Sequence, residues 1–222
     1  MIRAALIDLD GTLLDTAPDL AQAANRTLAG LGLRALPETQ VRDFIGKGIA
    51  VLVRRCLEAA LGGAPEEALL ETALARFAVH YASVNGSAST PYPGALEGLA
   101  ALRSGGLRLA CVTNKAERFT VPLLAAQGLA SYFDAVVTSD QAGRRKPDPE
   151  PFLLACRRLD VQPGEAVAIG DSANDAQGAR AAGCRVLLVP YGYREGQDVR
   201  SIDCDGIVAS LFQAAEELLN RS

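Results

Sequence analysis

The 222 residues contain a single histidine, no C-x-x-C pair, no block of lysine and arginine, and no apolar run long enough to span a bilayer. Each absence removes a class of function. The lone His80 sits beside Tyr81 in a helical apolar pattern and reads as a packing residue, so neither a zinc site nor histidine catalysis is expected. Five cysteines, Cys56, Cys111, Cys156, Cys184 and Cys204, lie mostly among apolar neighbours and read as reduced core thiols. A formal net charge of -4 without basic clusters gives nucleic acid and acidic membrane surfaces nothing to hold. Asp8 and Asp10 arrive after only a few apolar residues, so the start of the chain lacks the apolar middle and small-residue cleavage site of a secretory signal, and a cytoplasmic protein is expected. With 49% hydrophobic and 22% charged residues, the composition is that of a folded protein.

What is present is a repeated strand pattern. Ala4 to Leu9, Leu107 to Thr113, Ala135 to Thr138, Ala166 to Ile169 and Val186 to Val189 are short buried runs that end in polar or turn residues, with helical patterns between the later ones. Strand, helix, strand in alternation implies right-handed crossovers and a parallel sheet covered on both faces. In such sheets ligands bind beyond the carboxyl ends of the strands. The first two strands are separated by roughly ninety residues, far more than the dozen that a crossover needs. The excess carries three amphipathic stripes: Leu20, Ala24, Leu28 and Leu31 behind a capping-box pattern Thr16/Asp19; then Ile49 to Leu61; then Leu70, Leu74, Phe77 and Tyr81. Leu13 to Pro18 and Asn85 to Thr90 read as the two linkers. The expected architecture is therefore a Rossmann-like, doubly wound α/β core of residues 1–14 and 90–222 with an inserted all-helical cap domain of residues 15–89. Pro122 conflicts with the helix otherwise expected over Ala116 to Gln127 and predicts a late start or a kink.

The strand ends collect the chemistry. Asp8 and Asp10 stand at i and i+2, so an extended chain puts both carboxylates on one side, which is costly without a cation, a shared proton or distinct roles. Gly11 and Thr12 follow. The second strand ends in Thr113 and Asn114, either donors to a phosphate or a helix N-cap. Lys146 stands before Pro147, which biases its backbone to an extended form, and Asp148 is suited to cap the helix after it. The fourth strand ends in Gly170, Asp171, Ser172, Ala173, Asn174 and Asp175, where Ser172 and Asp175 also fit a capping box. Carboxylate oxygens without Cys or His nearby suit a hard ion such as Mg²⁺, which accepts phosphate oxygen. Phosphate ester hydrolysis is among the slowest uncatalysed reactions, so a nucleophile, a metal and a lysine would have to share the work.

Asp8-Leu9-Asp10-Gly11-Thr12, Thr113-Asn114, Lys146-Pro147 and Gly170-Asp171 with Asp175 resemble, in order, the four motifs of the haloacid dehalogenase superfamily, in the D-x-D form of its phosphatases and mutases. The resemblance implies a Mg²⁺-dependent phosphomonoester hydrolase in which Asp8 attacks phosphorus and Asp10 serves as acid and then base. It implies metal ligation by Asp8, the Asp10 carbonyl and Asp171, with Asn174 and Asp175 supporting the ion from behind. Gly11, Thr12, Thr113 and Asn114 would then hold the phosphoryl group, and Lys146 would neutralise it. Phe44 to Gly48, Arg144 to Pro149 and Tyr191-Gly192-Tyr193 are most similar to bacterial phosphoglycolate phosphatases, which implies hydrolysis of 2-phosphoglycolate; a monomer or homodimer is expected.

Between Gly46 and Gly48, Lys47 either meets a substrate carboxylate or is a solvated lysine at a helix start, whose amides could bind the anion without it. Rival readings are a sugar-phosphate phosphatase, including one for N-acetylmuramic acid 6-phosphate, a phosphosugar mutase, and a non-catalytic phospho-acceptor domain, which would have no use for Asp10 as an acid or for a cap.

Overall fold

The computed structural model describes residues 1–220. Strand β1 (Ala4–Ile7) leads through β2 (Leu14–Asp15) into four successive helices, α1 (Ala17–Gly30), α2 (Glu38–Arg42), α3 (Ile49–Leu61) and α4 (Glu67–Val84). The chain returns through β3 (Thr90–Pro91) and α5 (Ala95–Ser104) to β4 (Arg108–Val112), then runs α6 (Glu117–Ala126), β5 (Ala135–Val137), α7 (Glu150–Arg158) and β6 (Ala166–Gly170). It closes with α8 (Ala173–Ala182), β7 (Arg185–Leu188), β8 (Gly206–Ile207) and α9 (Leu211–Leu219).

Six strands form one parallel sheet in the order β5-β4-β1-β6-β7-β8. The order reverses at β1, whose neighbours are β4 and β6, so the crevice of a doubly wound sheet opens between the ends of β1 and β6. Side-chain alternation divides the strands between two cores. Ala5, Ile7, Leu109, Cys111, Val167 and Ile169 face the side covered by α5 and α9. Ala4, Leu6, Ala110, Val112, Ala166 and Ala168 face α7 and α8. The five strands expected from sequence are all present; β8, only two residues long, had too short a pattern to register.

Helices α1 to α4 share a third apolar cluster, built on Leu28, Leu57, Phe77 and Tyr81, which also takes in Phe119 and Tyr193 from the α/β part. Each such side chain contributes about 1.5–3 kcal/mol on burial. The two linkers are not loose: Leu14 pairs with Pro91 and Asp15 with Thr90 in a short antiparallel ribbon.

Two local expectations are corrected. Thr16 and Asp19 form no capping box, because both side chains are engaged elsewhere, Thr16 with Asp10 and Asp19 with the return linker. Asp19, fully buried, accepts from the backbone amides of Gly86, Ala88 and Ser89 at 2.9–3.0 Å and from Ser89 Oγ at 2.5 Å, clamping the return linker. The start of α1 is capped instead by Tyr193, whose hydroxyl accepts from the amides of Thr16 (2.8 Å) and Ala17 (2.9 Å) and donates to Asp15 at 2.6 Å. The late start predicted by Pro122 does not occur, since α6 begins at Glu117. A proline inside a helix costs ~3 kcal/mol, but Phe119, Leu123 and Leu124 of the same helix are buried and each offsets a comparable amount. Among the described residues no helix is long and apolar enough to cross a membrane, and the five cysteines are free.

Candidate active site

The ends of β1, β4 and β6, together with the loop before α7, bring Asp8, Asp10, Thr113, Lys146, Asp171 and Asp175 to one place. Asp8, Asp10, Thr113, Asn114 and Lys115 line one side of a cleft, and Leu20, Ile45, Gly46, Gly48, Ile49 and Leu52 from the helical unit line the other. The D-x-D pair does face one way, although its two carboxylates have different partners.

Lys146 Nζ bonds Asp8 Oδ1 at 2.8 Å, Asp175 Oδ1 at 2.7 Å and the carbonyl of Val112 at 2.8 Å, so all three ammonium protons are committed. Burial works against that charge, yet Asp175 and Asp8 outweigh it and hold the lysine firmly protonated. Asp8 itself is pushed up to about 7 by burial, with Lys146 pulling the other way. Asp171 is raised well above the carboxylate range by burial and by the charges of Asp175 and Asp8.

Asp8, Asp171 and Asp175 present carboxylate oxygens within 4.8 Å of one another. Such crowding of hard oxygen donors fits a divalent cation, which would relieve the repulsion that raises Asp8 and Asp171. The carbonyl of Asp10 accepts no backbone hydrogen bond from the described residues and suits the same role. Asp175 suits support more than direct ligation, because Oδ1 takes Lys146 while Oδ2 takes the amide and hydroxyl of Ser172 at 3.2 and 2.7 Å. That last pair is the capping box expected at the start of α8. Asn174, in the first turn of α8, lies against Gly46, where a Cβ would stand 3.8 Å from its Nδ2.

Room for Asp171 depends on glycine. Gly11 has φ of +91°, and a Cβ there would meet Asp171 Oδ2 at 2.5 Å; at Gly192 it would meet the same oxygen at 2.1 Å.

Four of the expected phosphate or substrate contacts have other tasks here. Thr12, fully buried, donates to Asp171 Oδ1 at 3.0 Å and so orients a candidate metal ligand, while the Gly11 amide donates to Leu14. Asn114 spends both side-chain donors on the carbonyls of Gly46 and Lys146 and accepts from the Lys146 amide, tying the β4 end to both neighbouring segments. Only its backbone N–H is left for a phosphoryl oxygen. Lys47 turns away from the cleft to Glu195, at 3.0 Å, which also holds Arg55 at 2.8 Å. Thr113 keeps its position: its Oγ1 accepts from the Lys115 amide, leaving the hydroxyl proton for a ligand.

Two site residues escaped the sequence reading. Thr16 Oγ1 donates to Asp10 Oδ1 at 2.6 Å, and Lys115 Nζ donates to the same oxygen at 2.7 Å. Lys115 is buried and holds its charge against that burial through Asp10. Its signal was its place directly after Thr113-Asn114, at the end of a strand already chosen as part of the site.

With this geometry in hand, the relatives are informative. A family model described as haloacid dehalogenase-like hydrolase matches residues 2–183. The chain is 54% identical to a phosphoglycolate phosphatase of Nitrosospira multiformis, covering 97% of this chain and 95% of that one. It is 48% identical to one of Thiobacillus denitrificans, covering 96% and 94%. The crystal structure of a predicted phosphoglycolate phosphatase from Haemophilus somnus superposes with a TM-score of 0.93 at 30% identity, covering 98% of both chains.

Proposed function

The chain belongs to the haloacid dehalogenase-like hydrolase family, and from that premise we propose that it hydrolyses 2-phosphoglycolate to glycolate and inorganic phosphate through a phosphorylated Asp8. The observation that carries the choice of substrate is the far wall of the cleft, to which the helical unit contributes only Leu20, Ile45, Ile49, Leu52 and two glycines. A sugar phosphate would turn several hydroxyls against aliphatic side chains, and each hydrogen bond lost to water without replacement costs about 1–3 kcal/mol. A two-carbon acid has no hydroxyls to lose. The names of the relatives at 48–54% identity agree with this reading.

The steps follow from the hydrogen bonds. Lys146 occupies Asp8 Oδ1, so Oδ2 is the oxygen that attacks phosphorus as the ester P–O bond breaks. Asp10 has Oδ1 tied to Thr16 and Lys115, so the proton passed to the departing glycolate oxygen travels on Oδ2. In the second half Asp10 takes a proton from water, whose oxygen attacks the phosphorus and releases Asp8. The Thr113 hydroxyl and the backbone N–H of Asn114 steady the equatorial oxygens, while Lys146 stays on Asp8 and offsets their charge without a direct bond. We assign Mg²⁺ to Asp8, Asp171 and the Asp10 carbonyl, where a bound ion would draw charge from the phosphoryl oxygens. Residues 15–89 act as a cap domain over a core of 1–14 and 90–222, a division supported by the apolar cluster that α1 to α4 share, to which the α/β part adds only Phe119 and Tyr193 among its buried residues. Five free thiols fit a cytoplasmic setting.

The test is phosphate release from a panel of phosphomonoesters with Mg²⁺ and with excess chelator. We expect 2-phosphoglycolate to lead in kcat/KM by at least tenfold and chelator to stop turnover. A hexose phosphate or N-acetylmuramic acid 6-phosphate in first place would overturn the substrate, and a requirement for an activating bisphosphate would point to a mutase.

A further inference from the structure

A substrate as small as 2-phosphoglycolate offers one feature beyond its phosphoryl group, a carboxylate, and a carboxylate in a largely apolar cleft needs a cation. The cations near the cleft can be separated by what they already hold. Lys146 has no proton to spare. Lys47 and Arg55 are paired with Glu195 outside the cleft. Arg42 is paired with Asp15 and Glu38. Arg145 is exposed at the rim, where a Cβ on Gly48 would lie 3.5 Å from its Cζ.

Lys115 differs from all of them. It is the one cation lining the cleft among the described residues, and its side chain is only 3% exposed. Its ammonium bonds Asp10 Oδ1 and has the Tyr81 hydroxyl as its other polar neighbour, which leaves at least one of its three donors without an acceptor. The ring of Tyr81 lies 5.0 Å away, and its buried hydroxyl has no partner other than this ammonium. A buried ammonium short of a bond is expensive unless a ligand completes it. Opposite it, Gly48 and Ile49 begin α3 with φ of +86° at the glycine, so the first amides of a 13-residue helix open toward the same cleft.

Resting on the reading of the substrate as 2-phosphoglycolate, we infer that Lys115 is the residue that selects it, binding the carboxylate through a spare ammonium donor while keeping its bond to Asp10. Phosphoryl site and carboxylate site are then joined through one short chain of groups, Asp8 to substrate to Lys115 to Asp10. A substrate lacking the carboxylate leaves Lys115 incompletely bonded and is bound less well. Leu52, Ile49 and Ile45 exclude water from the pair and so strengthen it.

The experiment compares 2-phosphoglycolate with ethyl phosphate, in which a methyl group replaces the carboxylate. Wild type, Lys115→Gln, Lys115→Met, Lys115→Arg and Arg145→Ala are assayed for kcat/KM on both esters, with thermal melting to follow folding. Wild type is expected to favour the carboxylated ester. The Gln and Met variants should lose about 100-fold of that ratio, the scale of a removed buried charge partner, chiefly through KM for 2-phosphoglycolate. Arg should retain most of the ratio, and Arg145→Ala should leave it within threefold. Turnover of ethyl phosphate by either neutral variant shows that it has folded. Equal losses on both esters would overturn the inference and reduce Lys115 to a residue that only positions Asp10. A ratio that collapses in Arg145→Ala would move recognition to the rim and overturn it as well. In both cases the wild-type preference, and with it the substrate assignment, would stand; absence of that preference in wild type would end both.

Discussion

The two walls of the cleft are built on opposite plans. On the strand-end wall the side chains brace one another: Lys146 makes three bonds, Asp175 three, Asn114 three, and Asp171 is held by Thr12 and the Tyr193 amide. On the helical wall the side chains are aliphatic and the turn is glycine. The first plan holds charged groups in one geometry, as transition-state stabilisation requires. The second excludes water and rejects what it cannot solvate. The strand-end wall thus carries the chemistry and, through Lys115, the grip on the carboxylate, while the helical wall rejects sugars, and changes to the two walls should have different signatures.

The largest effect belongs to the strand-end wall. Asp8→Asn is expected to lower kcat by roughly 10⁴-fold or more for every ester, because the amide is a poor nucleophile; near-normal turnover with a native melting curve would break the covalent mechanism. Asp10→Asn should cost ~10²–10⁴-fold on 2-phosphoglycolate and markedly less on p-nitrophenyl phosphate, whose leaving group needs no proton. Identical losses on the two esters would remove the acid role.

The crowded acids also predict a pH signature. Burial holds Asp8 up to about 7 and raises Asp171, so from about pH 5, above the range where unfolded carboxylates titrate, to pH 7 these two groups bind more protons in the folded protein than in the unfolded chain. Stability of the protein in chelator should therefore fall as pH rises through that window. Added Mg²⁺ competes with those protons and should stabilise most at the upper end. Melting temperatures from pH 5 to 8, with and without the ion, check both trends; parallel curves would show that no ion sits among these carboxylates.

Changes to the helical wall should be smaller and selective. Leu52→Asn is expected to lower kcat/KM for 2-phosphoglycolate by about tenfold, in the range of a changed pocket contact, and to narrow the gap to hexose phosphates. An unchanged ranking across the panel would show that this wall does not select. Smallest of all is Glu195→Gln, which releases Lys47 and Arg55 from the α/β part. These pairs are partly exposed and each contributes about 0.2–1 kcal/mol, so KM should rise less than fivefold with kcat unchanged; a collapse of kcat would mean that the pairs hold the catalytic geometry itself.

Sequence was most informative where structure is local. A strand alternates sides every residue, so Ala4 to Leu9 and its counterparts announced both the sheet and the ends at which polar groups would gather. Ser172 and Asp175 are three residues apart and found each other as their spacing required. Even the conflict at Pro122 was correctly located, although its outcome turned on packing that a propensity does not contain.

Residues whose partner lies far along the chain were misjudged or missed. Thr12 reaches Asp171 across 159 positions, Lys115 reaches Asp10 across 105, Asp19 reaches Ser89 across 70 and Lys47 reaches Glu195 across 148. The sequence by itself determined the strand-end constellation, because strand order and motif spacing carry those residues to one edge of the sheet. Only the tertiary structure decided which donor faces which acceptor there. A buried polar group must be bonded, but it can be bonded by any group that the fold brings within about 3 Å, and that distance is set by packing between distant segments.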